Sequence, residues 1–160
     1  MLRTLRYQQR ARLAAPFEVL WAWLAEPEHL PELHPLMRQL TIIERGGDEV
    51  ESFVDFEVVD GLPLGGGLEL PVTYSALMLR RPRDRYLHVR ATAIPKLVTT
   101  SEWSFTDGDD GVEIVEDVVL TAPWPIAGYA LKHSQRSHEA VLAALERRLE
   151  GDCPAEAPVE

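Results

Sequence analysis

Two side chains in this sequence of 160 residues fall where hydrocarbon is expected. Glu116 lies inside an alternating strand pattern of Val112, Ile114, Val118 and Leu120, and His138 lies on the inner stripe of a long helix. A carboxylate among apolar neighbours is costly unless it is paired, hydrogen-bonded or wetted by a cavity. Desolvation raises the pKa of a carboxyl, which suits general acid/base work near neutral pH and equally the anchoring of a ligand. The structural alternative for Glu116 is a carboxylate at the sheet end that reaches water or bonds Ser101. His138 would face it across a cavity as a base or donor, or else serve as a satisfied core histidine. Tyr74 adds a hydroxyl that would orient a ligand carbonyl, or a core ring with its tip at the surface. Glu116, His138 and Tyr74 are therefore the candidate acid/base residues.

Other chemistries find less support. The histidines at 29, 34, 88, 133 and 138 lack metal-ligand spacing, since neither His29/His34 nor His133/His138 shares a helical face. His34 precedes Pro35 and ends a short helix. Ser134 and Ser137 have neither a nucleophile turn nor an adjacent base, which argues against covalent catalysis. Cys153 is the single cysteine, so an internal disulfide and a thiolate metal cluster are excluded. Gly65-Gly66-Gly67 is followed by a strand and by no lysine, so it reads as a mobile flap with Leu62 and Leu64 and not as a phosphate loop.

The elements that must hold these residues follow from periodicity. Pro125 to Glu150 is one amphipathic helix, with Ala127, Leu131, Ser134, His138, Leu142, Leu145 and Leu149 in one stripe and Val141 at its edge. Pro125 suits the first turn and Gly151 the C′ position. Thr4 to Leu13 alternates as a strand, with Leu5, Tyr7, Gln9, Ala11 and Leu13 inside and arginines outside. Phe17 to Ala25 is a short helix burying Val19, Leu20, Trp23 and Leu24, after which Pro27, Pro31 and Pro35 allow one or two helical turns.

Leu40–Arg45 and Glu49–Val59 read as a hairpin on a three-residue loop, Gly46-Gly47-Asp48, with Leu40, Ile42, Val54, Phe56 and Val58 on one face. The outward arginines of the first strand would complement Glu51, Asp55 and Glu57 if that strand lay nearby. Leu68–Arg80 and Arg85–Ala93 are further strands. Pairing across Ile94-Pro95-Lys96 sets Leu87 opposite Trp103, Val89 opposite Ser101 and Ala91 opposite Thr99. The next turn, Thr106 to Gly111, sets Trp103 opposite Ile114 and Ser101 opposite Glu116. Both hairpins place Trp103, Phe105, Ile114, Val118 and Leu120 inside, and carry Ser101 and Glu116 in with them.

Composition narrows the function classes. One domain over 1–150 and a disordered acidic tail over 151–160 are expected. A net charge of −10, from 26 acids against 16 bases, repels nucleic-acid phosphates and anionic lipid surfaces. No apolar run of transmembrane length and no signal-peptide core appear, so a cytoplasmic location and no integral membrane association are expected.

The order strand, two short helices, six strands and long helix, together with Ala15-Pro16, Val19 to Trp21, Glu26-Pro27 and His34-Pro35, resembles the START-like (SRPBCC) superfamily, and within it the polyketide cyclase/dehydrase and lipid-transport group. Trp21 lies one residue later than the usual tryptophan. The resemblance spans roughly residues 4–150. It implies an α+β helix-grip fold: a seven-stranded antiparallel sheet wrapped around the long C-terminal helix, two short helices after the first strand, and an apolar cavity between sheet and helix. It further implies a lipid, polyketide or quinone type of small hydrophobic ligand and no cofactor. In that frame Tyr74, Met78, Ser101, Trp103, Glu116, Leu131, Ser134 and His138 are the candidate ligand-binding residues, and Leu62, Leu64, Gly65, Gly66 and Gly67 the candidate lid. The expected activity is ligand binding by a monomer or homodimer. The alternatives are an aromatase/cyclase or dehydratase, and a carrier or regulator acting through a protein partner.

Overall fold

The computed structural model describes residues 1–94 and 96–151. The expected tail beyond Gly151, with Cys153, lies outside the described residues. The chain runs β1 (Leu2–Leu13), α1 (Phe17–Leu24), a single 3₁₀ turn (Pro27–His29), α2 (Leu30–Leu33), β2 (Met37–Gly47), β3 (Ser52–Gly65), β4 (Leu68–Arg81), β5 (Tyr86–Ala93), β6 (Leu97–Gly108), β7 (Gly111–Pro123) and α3 (Trp124–Gly151). The seven strands form one antiparallel sheet in the order β1-β7-β6-β5-β4-β3-β2. With α3 packed along it and two short helices after β1, this is the helix-grip fold.

Local sequence accounts for these elements. Pro16, extended at φ −64 and ψ 151, stands just ahead of α1 and supplies no N–H that the helix needs. Pro27 and Pro31 sit in the first turns of the two helical pieces that follow, which keeps both short. Gly66 and Gly67 join β3 to β4 with φ of 60 and 80, the positive pair that a two-residue hairpin of type I′ demands. Gly111 opens β7 at φ 144, and a Cβ there would lie 2.1 Å from the Leu13 carbonyl oxygen. An alanine at 111 must therefore displace the β1 backbone.

Several expectations are corrected. The β2–β3 turn is Asp48–Glu51, with Gly47 already paired to Ser52 and the Asp48 carboxylate accepting the N–H groups of Val50 (2.8 Å) and Glu51 (3.0 Å). A bulge at Ile43 turns that side chain out and restores the inward face. The β6–β7 turn is Asp109-Asp110, so Trp103 pairs with Glu116 and Ser101 with Val118, two residues from the expected register. The slip of two preserves every inward residue, because strand parity has period two. β1 joins β7 at the edge opposite β2, so Arg10 and Arg12 meet Glu113 and not the acids of β3. In α1 the buried residues are Phe17, Leu20 and Leu24, while Val19 stands 40% exposed because Phe17 takes the inward turn against Trp21 and Phe105. The segment called a flap is the extended tip of the β3–β4 hairpin, with Leu64 bulged outward beside Pro63. The helix continues through Gly151.

The core divides in two. The larger cluster joins α1, α2, the C-terminal half of α3 and the concave face of the sheet around Leu20, Val54, Met78, Ile114 and Leu145. A smaller one holds Leu120, Ala122 and Ala127 under the start of α3. Space is left between them.

Candidate ligand cavity

That space is a cavity of about 540 Å³, bounded by residues of both clusters. Its volume is of the order that receives a small organic molecule. The sheet side supplies Phe56, Val72, Tyr74, Ala76, Met78, Val89, Ala91, Ser101 and Trp103 from β3 to β6, and the short helices supply Leu24, Leu30 and His34. From α3 come Ala130, His133, Ser134, Ser137, His138 and Val141. These lie on one flank of the predicted stripe, the flank that Val141 marks, while Leu142 and Leu145 pack in the core. The helix thus uses hydrocarbon to hold itself down and polar groups to face the void.

Glu116 is completely buried and lies behind the cavity wall. One carboxylate oxygen accepts the Gln9 Nε2–H at 2.6 Å, and the other lies 2.7 Å from His138 Nδ1. β1 and β7 set this arrangement, because Gln9 and Glu116 are direct partners in the ladder. A carboxylate acceptor places the proton of His138 on Nδ1, leaving Nε2 as the ring atom available to a ligand. Burial alone would lower the pKa of His138, but the Glu116 charge and hydrogen bond outweigh it and hold the ring above its ordinary 6.5. Tyr7 packs edge-on against the ring at 6.2 Å and shares a 2.8 Å hydrogen bond with Ser134, its own pKa raised mainly by burial. Tyr7→Phe is expected to cost about 1 kcal/mol in denaturant unfolding, the net worth of one such bond.

His34 completes this polar end. The Leu36 N–H donates to its Nδ1 at 3.4 Å, so the neutral ring carries its proton on Nε2 as a fixed donor. Burial, with His138 and then His133 adding charge repulsion, pushes its pKa down to about 4. His133 is lowered too, chiefly by burial, and its ring stacks on Tyr129. A second polar pair lies on β3 and β4. The Tyr74 hydroxyl donates to Asp60 at 3.5 Å, and burial raises the Asp60 carboxyl to about 6 against the hydroxyl and Arg38.

Of the candidate residues, Tyr74, Met78, Ser101, Trp103, Ser134 and His138 line the cavity. Glu116 reaches it only through His138, and Leu131, half-buried, does not line it. Leu62 is part of the wall, whereas Leu64 and the three glycines lie beyond it at the hairpin tip. Gln9, Tyr7, His34, Asp60, His133 and Ser137 belong to the site without being among the expected ligand-binding residues. Asp60 had a readable mark, since it continues the inward parity of Val54, Phe56 and Val58. His133 and His138 both line the cavity, although their spacing argued against a shared face. Among the described residues no group of three or more His, Cys, Asp or Glu is placed to hold a metal ion, and no helix is long and apolar enough to cross a membrane.

A curled antiparallel sheet gripping a C-terminal helix around an apolar cavity defines a START-like protein. The chain belongs to the polyketide cyclase / dehydrase and lipid transport family, whose profile matches residues 4–150. Among solved structures it is similar to the Zhui aromatase/cyclase from Streptomyces sp. R1128, at 17% identity and TM-score 0.75 over 99% of this chain and 100% of that one. It is similar also to the di-domain ARO/CYC StfQ of the steffimycin biosynthetic pathway, at 16% identity and TM-score 0.75, covering 95% of this chain but 53%, about half, of that one. A START superfamily protein from Mycobacterium smegmatis matches at 16% identity and TM-score 0.70, over 91% and 97% of the two chains. No curated protein matches the sequence.

Proposed function

We propose that the protein binds a small hydrophobic ligand bearing oxygen functions in the cavity between α3 and the sheet. The observation that carries this reading is the division of the wall. Most of it is hydrocarbon, and the polar groups set in it include two opposed sets of titratable residues, His34 with His138 and Asp60 with Tyr74. Hydrocarbon supplies affinity and a few placed polar atoms fix orientation, as in small-molecule sites generally. His34 offers a donor, His138 Nε2 a donor or acceptor according to its protonation, and the Asp60–Tyr74 pair a second contact. The β3–β4 hairpin, with Leu62 in the wall, would govern entry.

The test is native mass spectrometry of the purified protein, then denaturing extraction, repeated on Ala91→Phe. Ala91 lines the cavity next to Val89 and packs on the core, so a phenyl ring there occupies the ligand's space. The wild type is expected to carry a hydrophobic molecule that Ala91→Phe lacks at similar melting temperature. Equal loading of both proteins would remove the cavity from consideration.

One observation favours a second reading, an aromatase/cyclase or dehydratase. A histidine held by a buried carboxylate, with its free nitrogen on a substrate-sized cavity, is equipped to move a proton. A ketone oxygen on the His34 Nε2–H would acidify the adjacent carbon for that histidine. Turnover of a poly-β-ketone chain by the wild type and its loss in His138→Gln would establish this chemistry, and unimpaired turnover in that variant would dismiss it.

A further inference from the structure

The large apolar side chains left in water are gathered at one end of the molecule. Of the thirteen exposed among the described residues, seven lie on three neighbouring protrusions. Leu64, Leu68 and Leu70 are on the β3–β4 hairpin, Ile94 is in the β5–β6 turn, and Trp124, Ile126 and Tyr129 open α3. In an antiparallel meander these three connections share one end of the sheet, and the turns β2–β3, β4–β5 and β6–β7 share the other. Leu70, Ile94, Ile126 and Tyr129 also line the cavity, so the protrusions ring its mouth. Single exposed apolar residues are ordinary, but a continuous rim marks an interaction surface.

Charge is distributed unevenly about the same axis. The sequence has two lysines, and both are exposed beside this rim: Lys96 in the β5–β6 turn and Lys132 next to Tyr129 on α3. The acids on the three protrusions are engaged, Asp60 by Tyr74 and Glu69 by two hydrogen bonds from Arg38 at 3.1 and 2.5 Å. The turns at the far end carry Asp48, Glu49, Glu51, Asp84, Asp109 and Asp110 against Arg81, Arg83 and Arg85, and still hold an excess of acids once Arg81 is paired with Glu51. An overall charge of −10 opposes approach from a distance, yet it leaves one end to make contact.

We propose that this end docks on an anionic phospholipid bilayer, with the rim seated at the headgroup boundary and the cavity mouth facing the lipid. Trp and Tyr rings favour that boundary, and lysines beside them keep their ammonium groups among the headgroups. Anionic lipid attracts the two lysines and repels the acidic far end, which fixes the orientation. Three separate tips also suit insertion between headgroups better than the flat contact that a folded partner requires. The proposal does not depend on the ligand reading, because docking is measurable with the cavity full or empty.

The experiment is flotation with vesicles of phosphatidylcholine mixed with phosphatidylglycerol, and of phosphatidylcholine alone. The wild type is expected to float with the mixed vesicles and weakly or not at all with the neutral ones. Brominated acyl chains are expected to quench its tryptophan emission, and Trp124→Phe to remove most of that quenching. Leu64→Ser with Leu68→Ser touches neither cavity wall nor core, and should weaken vesicle binding by about tenfold or more while leaving the melting temperature unchanged. Absence of flotation with both vesicle types would overturn the proposal. So would a concentration-dependent dimer that the double substitution returns to monomer, since a second copy would then be what covers the rim.

Discussion

Glu116→Leu is expected to cost about 3 kcal/mol of folding stability at neutral pH, and more as the solution becomes acidic. The carboxylate has no access to water and accepts from Gln9 at 2.6 Å and His138 at 2.7 Å. Leucine fills a similar space but leaves two donors without acceptors, and each such group costs about 1–3 kcal/mol. Below pH 6.5 the loss grows, because the imidazolium must then form without its counter-ion or not at all. Glu116→Gln separates charge from hydrogen bonding. A glutamine can accept from His138 Nδ1–H and donate to the Gln9 amide oxygen, so the loss in stability should be small. The sign of the pH dependence should reverse. In the wild type the folded-state pKa of His138 is raised above 6.5, so the pair adds stability that is complete below pH 6.5 and is lost as pH rises through that raised value. In the glutamine variant burial acts alone, the ring falls below 6.5, and stability declines as pH falls. NMR titration of the His138 ring with unfolding free energies on both sides of pH 6.5 tests this. An identical His138 titration in wild type and Glu116→Gln would mean that the carboxylate does not set the charge of the ring.

That both members of this pair lie inside was legible, but their connection was not. Parity along β7 places Glu116 with Ile114 and Val118, and helical periodicity places His138 with Leu142 and Leu145, each from local sequence alone. Facing residues depend on register, which parity leaves undetermined to within two positions. The expected Ser101–Glu116 pairing fails for that reason, and Trp103 stands opposite Glu116 instead. The actual partner, Gln9, is 107 residues away and arrives only when β1 closes on β7. Likewise the inner stripe of α3 was readable, but the cavity takes one flank of it. Which flank depends on where α2, β1 and β7 meet the helix, a tertiary fact with no trace in the helix itself. His34 shows the limit differently, because it does end α2 as its sequence suggests and also turns its ring to the cavity.

Asp60→Asn is expected to stabilise the protein at pH 7 and to make it sensitive to acid. Burial raises the Asp60 pKa from 3.8 to about 6, so its contribution to stability is fully present below pH 3.8 and is lost as pH rises through 6. His34 runs the other way. Its pKa falls from 6.5 to about 4, so its contribution is present above pH 6.5 and is lost as pH falls through 4. At about 1.4 kcal/mol per pKa unit His34 is worth at most about 3 kcal/mol, Asp60 is worth less because solvent screens its partly open carboxyl, and over the shared interval the two slopes oppose. Asparagine keeps an oxygen for the Tyr74 hydroxyl and removes the burial penalty of an ionised carboxylate, which accounts for the gain at pH 7. It also leaves His34 unopposed, so stability should fall by up to about 3 kcal/mol between pH 6.5 and 4 relative to the wild-type curve. His34→Gln should give the mirror image, a protein whose stability rises as pH falls from about 6. Denaturant unfolding of the three proteins across this range decides the matter, because surface carboxylates that also titrate there are common to all and cancel in the differences. Parallel curves for wild type and Asp60→Asn would show that Asp60 is wetter than its place in the cavity wall implies. Opposed slopes would show that a proton can enter the cavity at either polar pair, so a bound oxygen function would meet different charges at pH 4 and at pH 7.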